Sequence, residues 1–190
     1  MYGRDIAQQL MPFETYRMRL LDSNFNRRQY SLDQITPRYS EIDVRVTKNP
    51  SVEYFLYLYN RVGRKYQWYM VNYVAPEDMK PYLEQTTLVT LLHNGEPIGF
   101  GSYVNEAEST NITYFGLMEQ GIGKGYGRHF LADVARSAFD EYKQQNVWLY
   151  TTDRDHPNAL PSYKAVGFHI ENVRTEFHWA PITEFRLDEI

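Results

Sequence analysis

Four glycines, Gly121, Gly123, Gly125 and Gly127, alternate with Ile122, Lys124 and Tyr126. So dense a spacing lets the backbone take dihedrals closed to other residues and approach a ligand closely. Phe130, Leu131, Val134, Ala135, Ala138 and Phe139 then fall on one helical face. Free N–H groups at the start of such a helix, with about half a positive charge from the dipole, form an anion site. Phosphate is the chemistry this suits. Two common phosphate motifs fail on spacing. A Walker A loop needs a glycine where Met118 stands and Ser or Thr where Gly125 stands. The Gly-x-Gly-x-x-Gly fingerprint ends on Tyr126, Arg128 or Phe130 in its three registers. A second reactive stretch lies about thirty residues on, Asn158 to Phe168. It carries Tyr163, a phenol able to donate a proton, and Asn158, an amide able to hold a ligand or cap a helix.

These residues need elements to position them. Ile112 to Phe115 are β-branched or aromatic and read as a strand before the loop. Val147 to Thr152 read as the strand after the long helix. Asp155-His156-Pro157-Asn158 starts a short helix that ends at Gly167. Upstream, Ile42, Val44 and Val46 alternate with polar residues in a half-buried strand. Asn49-Pro50 caps a helix with Pro at its first position, Val52, Phe55, Leu56, Tyr59 and Val62 on its apolar face and Gly63 as its stop. Pro76 opens a short helix that Pro81 interrupts or bends. Thr87 to His93 and Pro97 to Val104 are strands joined by the hairpin signal Asn94-Gly95. Phe168 to Ile170 and Thr175 to Trp179 read as a closing pair of strands. The order is that of an α/β layered sheet. Residues 1–38 are polar, with a weak helical pattern at Leu10 to Leu21; they read as an extension, an arm or an oligomer contact before a single domain at 39–190.

Gly123-Lys124-Gly125-Tyr126-Gly127-Arg128, feeding an amphipathic helix, resembles the coenzyme A pyrophosphate loop of the GNAT superfamily of acyl-CoA N-acyltransferases, Gln/Arg-x-x-Gly-x-Gly/Ala. With Gly125 and Gly127 as the paired glycines, Ile122 stands at the first position, a departure. The register Gln120-x-x-Gly123-x-Gly125 fits literally but leaves Tyr126 and Gly127 in the helix start. The first register is preferred, because Gly127-Arg128 then opens the helix. Asn158 to Phe168 looks like the family's Asn-x-x-Ala-x-x-x-Tyr-x-x-x-Gly-Phe, with Ala159 shifted to follow Asn158 directly. The likeness covers roughly residues 40–180. It is nearest to a branch with Tyr-Phe-Gly-Leu before the loop and Asp-His-Pro-x-Ala-Leu before the tyrosine.

The resemblance implies a GNAT fold, a mixed, mostly antiparallel splayed sheet flanked by helices. It implies acetyl-CoA as donor and a primary amine, of a small molecule or a protein, as acceptor. Backbone groups of Leu117 and Met118 then pair with the pantetheine amides, as an added strand does. N–H groups from Gly123 through Lys124, Gly125, Tyr126 and Gly127 to Arg128 cradle the pyrophosphate, with charge from Lys124 and Arg128. Asn158 binds the cofactor or the loop. A backbone N–H near Leu117 stabilises the oxyanion. Tyr163 is the general acid for a thiolate of pKa about 8.5. The base is open: Glu106 and Glu108 precede the central strand but read as solvated turn residues, Asn111 replaces a strand carboxylate, and His156 reads as capping or surface. Tyr54, Tyr57, Tyr59, Tyr66, Trp68 and Tyr69 fall where the family walls its acceptor site, although core packing accounts for most of them. The alternative function is a GNAT-fold module that binds CoA or a protein without turnover.

Composition sets the frame. The 190 residues are 43% hydrophobic and 23% charged, the pattern of a soluble single domain. Net charge −4 points away from nucleic acid and anionic membranes. Without cysteine there is no disulfide and no thiol nucleophile. The five histidines lack metal-site spacing, so no metal is expected. With no signal core or long apolar run, a cytoplasmic protein is the expectation, with a homodimer as a possible assembly.

Overall fold

The computed structural model describes residues 8–35, 41–66, 68 and 70–181. The expected domain boundary at 38/39 falls outside them. Strands β1 (Gln8–Leu21), β2 (Ile42–Lys48), β3 (Thr86–His93), β4 (Glu96–Asn105), β5 (Thr110–Leu117), β6 (Asn146–Thr152) and β7 (His169–Pro181) build one sheet in the order β2-β3-β4-β5-β6-β1-β7. Helices α1 (Val52–Gly63), α2 (Pro76–Leu83), α3 (Tyr126–Tyr142) and α4 (Ala159–Val166) flank it. Neighbouring strands are antiparallel except β5 and β6. These two run parallel and pair only where Thr110, Asn111 and Ile112 face Val147, Trp148 and Leu149. Beyond Ile112, β5 stays with β4 and β6 stays with β1, so a wedge opens between them.

Each face of the sheet carries a core. Phe130, Leu131, Val134, Ala135 and Ala138 of α3 pack with Met18, Leu20, Val89, Leu91 and Leu149 on one side. Phe55, Leu58, Tyr59 and Val62 of α1 pack with Leu88 and Phe100 on the other. Strand β3 is buried on both faces, which explains its nearly unbroken apolar run. Each large side chain so covered contributes about 1.5–3 kcal/mol relative to exposure.

The structure corrects the sequence reading at five points. Residues 8–21 are a strand between β6 and β7, not a weakly helical arm. Its buried positions change face along its length, Phe13 and Thr15 on one and Met18 and Leu20 on the other, while its pairing with β6 keeps one register throughout. The step of three from Thr15 to Met18 imitates a helix. The irregularity against β7 lies between Arg17 and Met18, where β7 carries the extra residue Glu171. Strand β7 is one continuous strand rather than two, for Glu171 sits at the same irregularity and pairs with Arg17 and Arg19 at 3.4 and 2.7 Å. Helix α1 is capped by Ser51, whose Oγ accepts the Tyr54 N–H at 3.2 Å, so Pro50 precedes the cap. Gly63 closes α1 without a left-handed stop; a Cβ there would lie 2.3 Å from Cβ of Trp68. Helix α3 opens at Tyr126, one residue ahead of Gly127. The Asn94-Gly95 hairpin does form, both residues at positive φ, 54° and 80°.

Candidate active site

The loop between β5 and α3 runs under the open end of the wedge. Gly123 and Gly125 have φ of 78° and 84°, and a Cβ on either would meet nothing within 4 Å. These two positions need glycine for their dihedrals, and both face free space; Gly121 needs it for room, since a Cβ there would lie 2.9 Å from Ile98 O. Gly125 is the cap residue of α3, with no side-chain cap and no acid in the first turn. The amides of the first turn therefore lack protein partners inside the helix. They line a cleft of about 500 Å³ with Leu117, Arg128, Asn158 and Tyr163. A cradle that a Cβ would fill, at an uncapped helix start, fits a pyrophosphate.

Of the residues singled out in the sequence, Leu117, Gly123, Gly125, Tyr126, Gly127, Arg128, Asn158 and Tyr163 share this cleft. Lys124 is exposed and off its wall. Met118 is 2% exposed, packed among α1 residues, with its N–H donated to Ile98 O and its carbonyl accepting from Gly121, both at 2.8 Å. Its N–H is taken by β4, and its carbonyl already accepts one bond. Because backbone groups alternate between strand edges, Leu117 and Phe115 present theirs to the wedge. Asn158 caps α4 in position only; no side-chain capping bond forms, and its N–H goes to Nδ1 of His156 at 3.0 Å. Glu106 is spent on the Trp148 indole at 3.0 Å and on Ser109 at 3.2 Å, beyond the paired end of β5.

A second cavity of about 220 Å³ lies behind the cleft, between β5, β6 and the segment after α1. Tyr66, Trp68, Phe115, Asp155 and Tyr163 line both and mark where they join. Tyr163 is 6% exposed, and its hydroxyl has no hydrogen-bond partner among the described residues. Burial, and then the charge of Asp155, pushes its pKa up, so the phenol keeps its proton. Burial likewise raises Tyr66 and Tyr114. The other aromatics near α1 pack rather than line: Tyr59 lies 5.6 Å from Trp68 and 5.2 Å from Tyr114, centroid to centroid. Tyr69, of the same sequence cluster, lies outside the described residues.

Two wall residues were not singled out in the sequence. Asp155 reads there only as part of a helix start, yet Thr151 and Thr152 bind its Oδ2 at 2.8 and 2.9 Å, and Trp68 binds Oδ1 at 3.3 Å. The Thr-Thr-x-x-Asp spacing at a strand end is the signal that marks such a turn. Tyr30 reaches the cleft because its loop is tied to α3: Arg136 Nη2 donates to the carbonyls of Arg27 and Tyr30, both at 2.8 Å, and Leu32 N–H to Asp133 at 2.9 Å. Nothing local in the sequence announces that tether.

The model of the family described as Acetyltransferase (GNAT) family matches residues 52–168. The chain belongs to the GNAT acetyltransferase family. Solved structures with the same fold include a GCN5-related N-acetyltransferase from Kribbella flavida (TM-score 0.58, 12% identity, 94% of this chain and 62% of that one). A GCN5-related N-acetyltransferase-like protein from Streptococcus suis 89/1591 gives 0.62, 15%, 92% and 64%. A conserved protein of unknown function from Staphylococcus epidermidis ATCC 12228 gives 0.61, 15%, 88% and 62%. The chain thus spans less than two thirds of each of these proteins. No curated protein matches the sequence. The left-handed pair of the loop is Gly123 and Gly125, the pair of the register that begins at Gln120, whereas Gly127 of the register preferred from sequence lies within α3. No helix among the described residues is long and apolar enough to cross a membrane.

Proposed function

We propose that this chain is an acetyl-CoA-dependent N-acetyltransferase acting on a primary amine. The observation that carries the reading is the junction at Tyr163, where a cleft ending in a glycine cradle meets a separate cavity walled by aromatics. Two substrates entering from two sides meet there. Amides of Gly123 through Arg128 hold the pyrophosphate, and the free edge of β5 at Phe115 and Leu117 holds the pantetheine arm as an added strand. Asn158 adds its amide, and Arg128 its charge. Alignment of thioester and amine supplies much of the rate. A Leu117 amide stabilises the carbonyl oxygen, and the Tyr163 hydroxyl donates its proton to the departing sulfur. A cytoplasmic location, where acyl-CoA is made and used, belongs to the same proposal.

Calorimetric titration with acetyl-CoA and with CoA tests it. Binding in the micromolar range is expected, weakened at least about tenfold by Gly125→Val, whose side chain enters the cradle and whose φ is strained. Failure of the wild-type protein to bind either ligand would overturn the reading.

A further inference from the structure

We propose that Asp155 is the carboxylate that receives the acceptor nitrogen, and that the acceptor is a primary amine on an aromatic or otherwise apolar stem. The inference rests on the transferase reading above and adds to it the acceptor class and the proton acceptor. Among the described residues, Asp155 is the only carboxylate lining either cavity, and it lines both. Its oxygens are fixed from three sides, by the Trp68 indole, the Thr151 hydroxyl and the Thr152 amide. All three donors are neutral. Among the described residues no cation pairs with it: Arg154 lies over the Phe13 ring at 5.2 Å and near Asp153 at 4.0 Å. A half-buried carboxylate held by dipoles alone is matched by a cationic or proton-donating ligand.

The groups facing Asp155 are Tyr163 from α4, Tyr66 and Trp68 after α1, Phe115 from β5, and Arg154 and His156 beside it. None is an acid that would compete for the amine. The acceptor cavity carries Phe13, Tyr114 and Leu149 on its walls, beside Thr113, Thr151, Thr152 and Arg154. Such walls favour an apolar stem and tolerate a cation over a ring face. The step balances as follows, from the neutral amine, whose ammonium form gives its extra proton to solvent before attack. The amine nitrogen bonds to the thioester carbonyl carbon, and its proton, made acidic by the new bond, passes to Asp155. The carbon–sulfur bond breaks, and the sulfur takes the proton of Tyr163. A carboxylic acid gives up a proton more readily than a phenol does, so Asp155 then reprotonates Tyr163 through water. Amide and free thiol are the products.

The test measures thiol release from acetyl-CoA with 2-phenylethylamine, tyramine, tryptamine and hexylamine. Turnover is expected with wild type, and Asp155→Asn lowers kcat/KM for the amine at least about 100-fold. Its acetyl-CoA affinity stays within about twofold, which also reports an intact fold. Formate restores part of the rate to Asp155→Ala, an effect a purely structural side chain would not produce. Thr151→Val, which keeps the charge but leaves Oδ2 to the Thr152 amide alone, lowers kcat with acetyl-CoA affinity unchanged. The proposal is overturned if Asp155→Asn retains full turnover, if formate restores nothing, or if a wild type that binds acetyl-CoA neither binds nor acetylates any of the four amines. Loss of acetyl-CoA binding by the wild type would instead overturn the transferase reading itself.

Discussion

Trp68 donates its indole N–H to Asp155 at 3.3 Å, joining residues 87 apart in the chain at the meeting point of two cavities. That contact is built on two glycines. A Cβ on Gly63 would lie 2.3 Å from Trp68 Cβ, and Gly116 brings β5 within 3.9 Å of the same ring by the same measure. Small residues below and beside the indole fix where it points. Gly63→Ala is therefore expected to push Trp68 off Asp155. Overpacking of this kind costs about 1–3 kcal/mol. Urea unfolding measures the loss, and a shift in tryptophan emission reports the displacement. An unchanged midpoint and spectrum would show that the ring yields freely.

Three of the four loop glycines should respond differently to alanine. Gly127 lies inside α3, and an added Cβ would make an ordinary contact, 3.8 Å from Leu117 Cδ1. Gly127→Ala then gains up to about 1 kcal/mol of helix propensity. Gly123→Ala and Gly125→Ala place Cβ at φ of 78° and 84° and each cost about 1–2 kcal/mol. Thermal unfolding of the three variants gives the order. A stabilised Gly125→Ala with a destabilised Gly127→Ala would restore the other loop register.

Tyr163→Phe separates chemistry from stability. The hydroxyl has no protein partner among the described residues, so its removal leaves the unfolding midpoint unchanged or slightly raised. Acetyl-CoA affinity should hold while kcat falls about 10²–10⁴-fold. Since burial keeps the phenol protonated above its ordinary 10.0, no alkaline loss of rate from this group is expected below that pH. A variant with full kcat would remove Tyr163 from the reaction.

Glu141 gives the fold a pH-dependent term. Burial works to raise its pKa, but hydrogen bonds from Lys48, Tyr103 and Tyr142 outweigh it and hold the carboxyl below its ordinary 4.5. Tyr103 lies at 2.9 Å and Lys48 at 2.9 Å. A depressed folded pKa means stability that is present above the unfolded value and is lost as pH falls through the folded one. Glu141→Gln should cost about 1–3 kcal/mol at pH 7 and progressively less below pH 4.5. Urea midpoints of both proteins from pH 7 to pH 3 check this; a pH-independent gap would contradict it.

Much of the architecture is legible locally. Asn94-Gly95 specifies its hairpin because both residues tolerate positive φ. The 3.6 period from Phe130 to Phe139 specifies α3, and all six of its named apolar positions are buried. Reading fails where one strand leans on another. The burial of β1 passes from one face to the other between Thr15 and Met18 as different parts of the fold cover its two ends, and no pattern within residues 8–21 reveals it.

The site divides along the same line. By itself the sequence determined the glycine loop, for glycines at left-handed dihedrals next to an amphipathic helix are a local requirement. It determined the helix that carries Tyr163 too, through its place after a strand. Only the tertiary structure decided that Met118 is consumed by β4, that Tyr30 reaches the cleft and that Asp155 faces Tyr163. The last of these depends on where β5 and β6 part after Ile112. Strand divergence is a long-range balance of pairing and packing on both faces of a sheet, and no run of neighbouring residues encodes it.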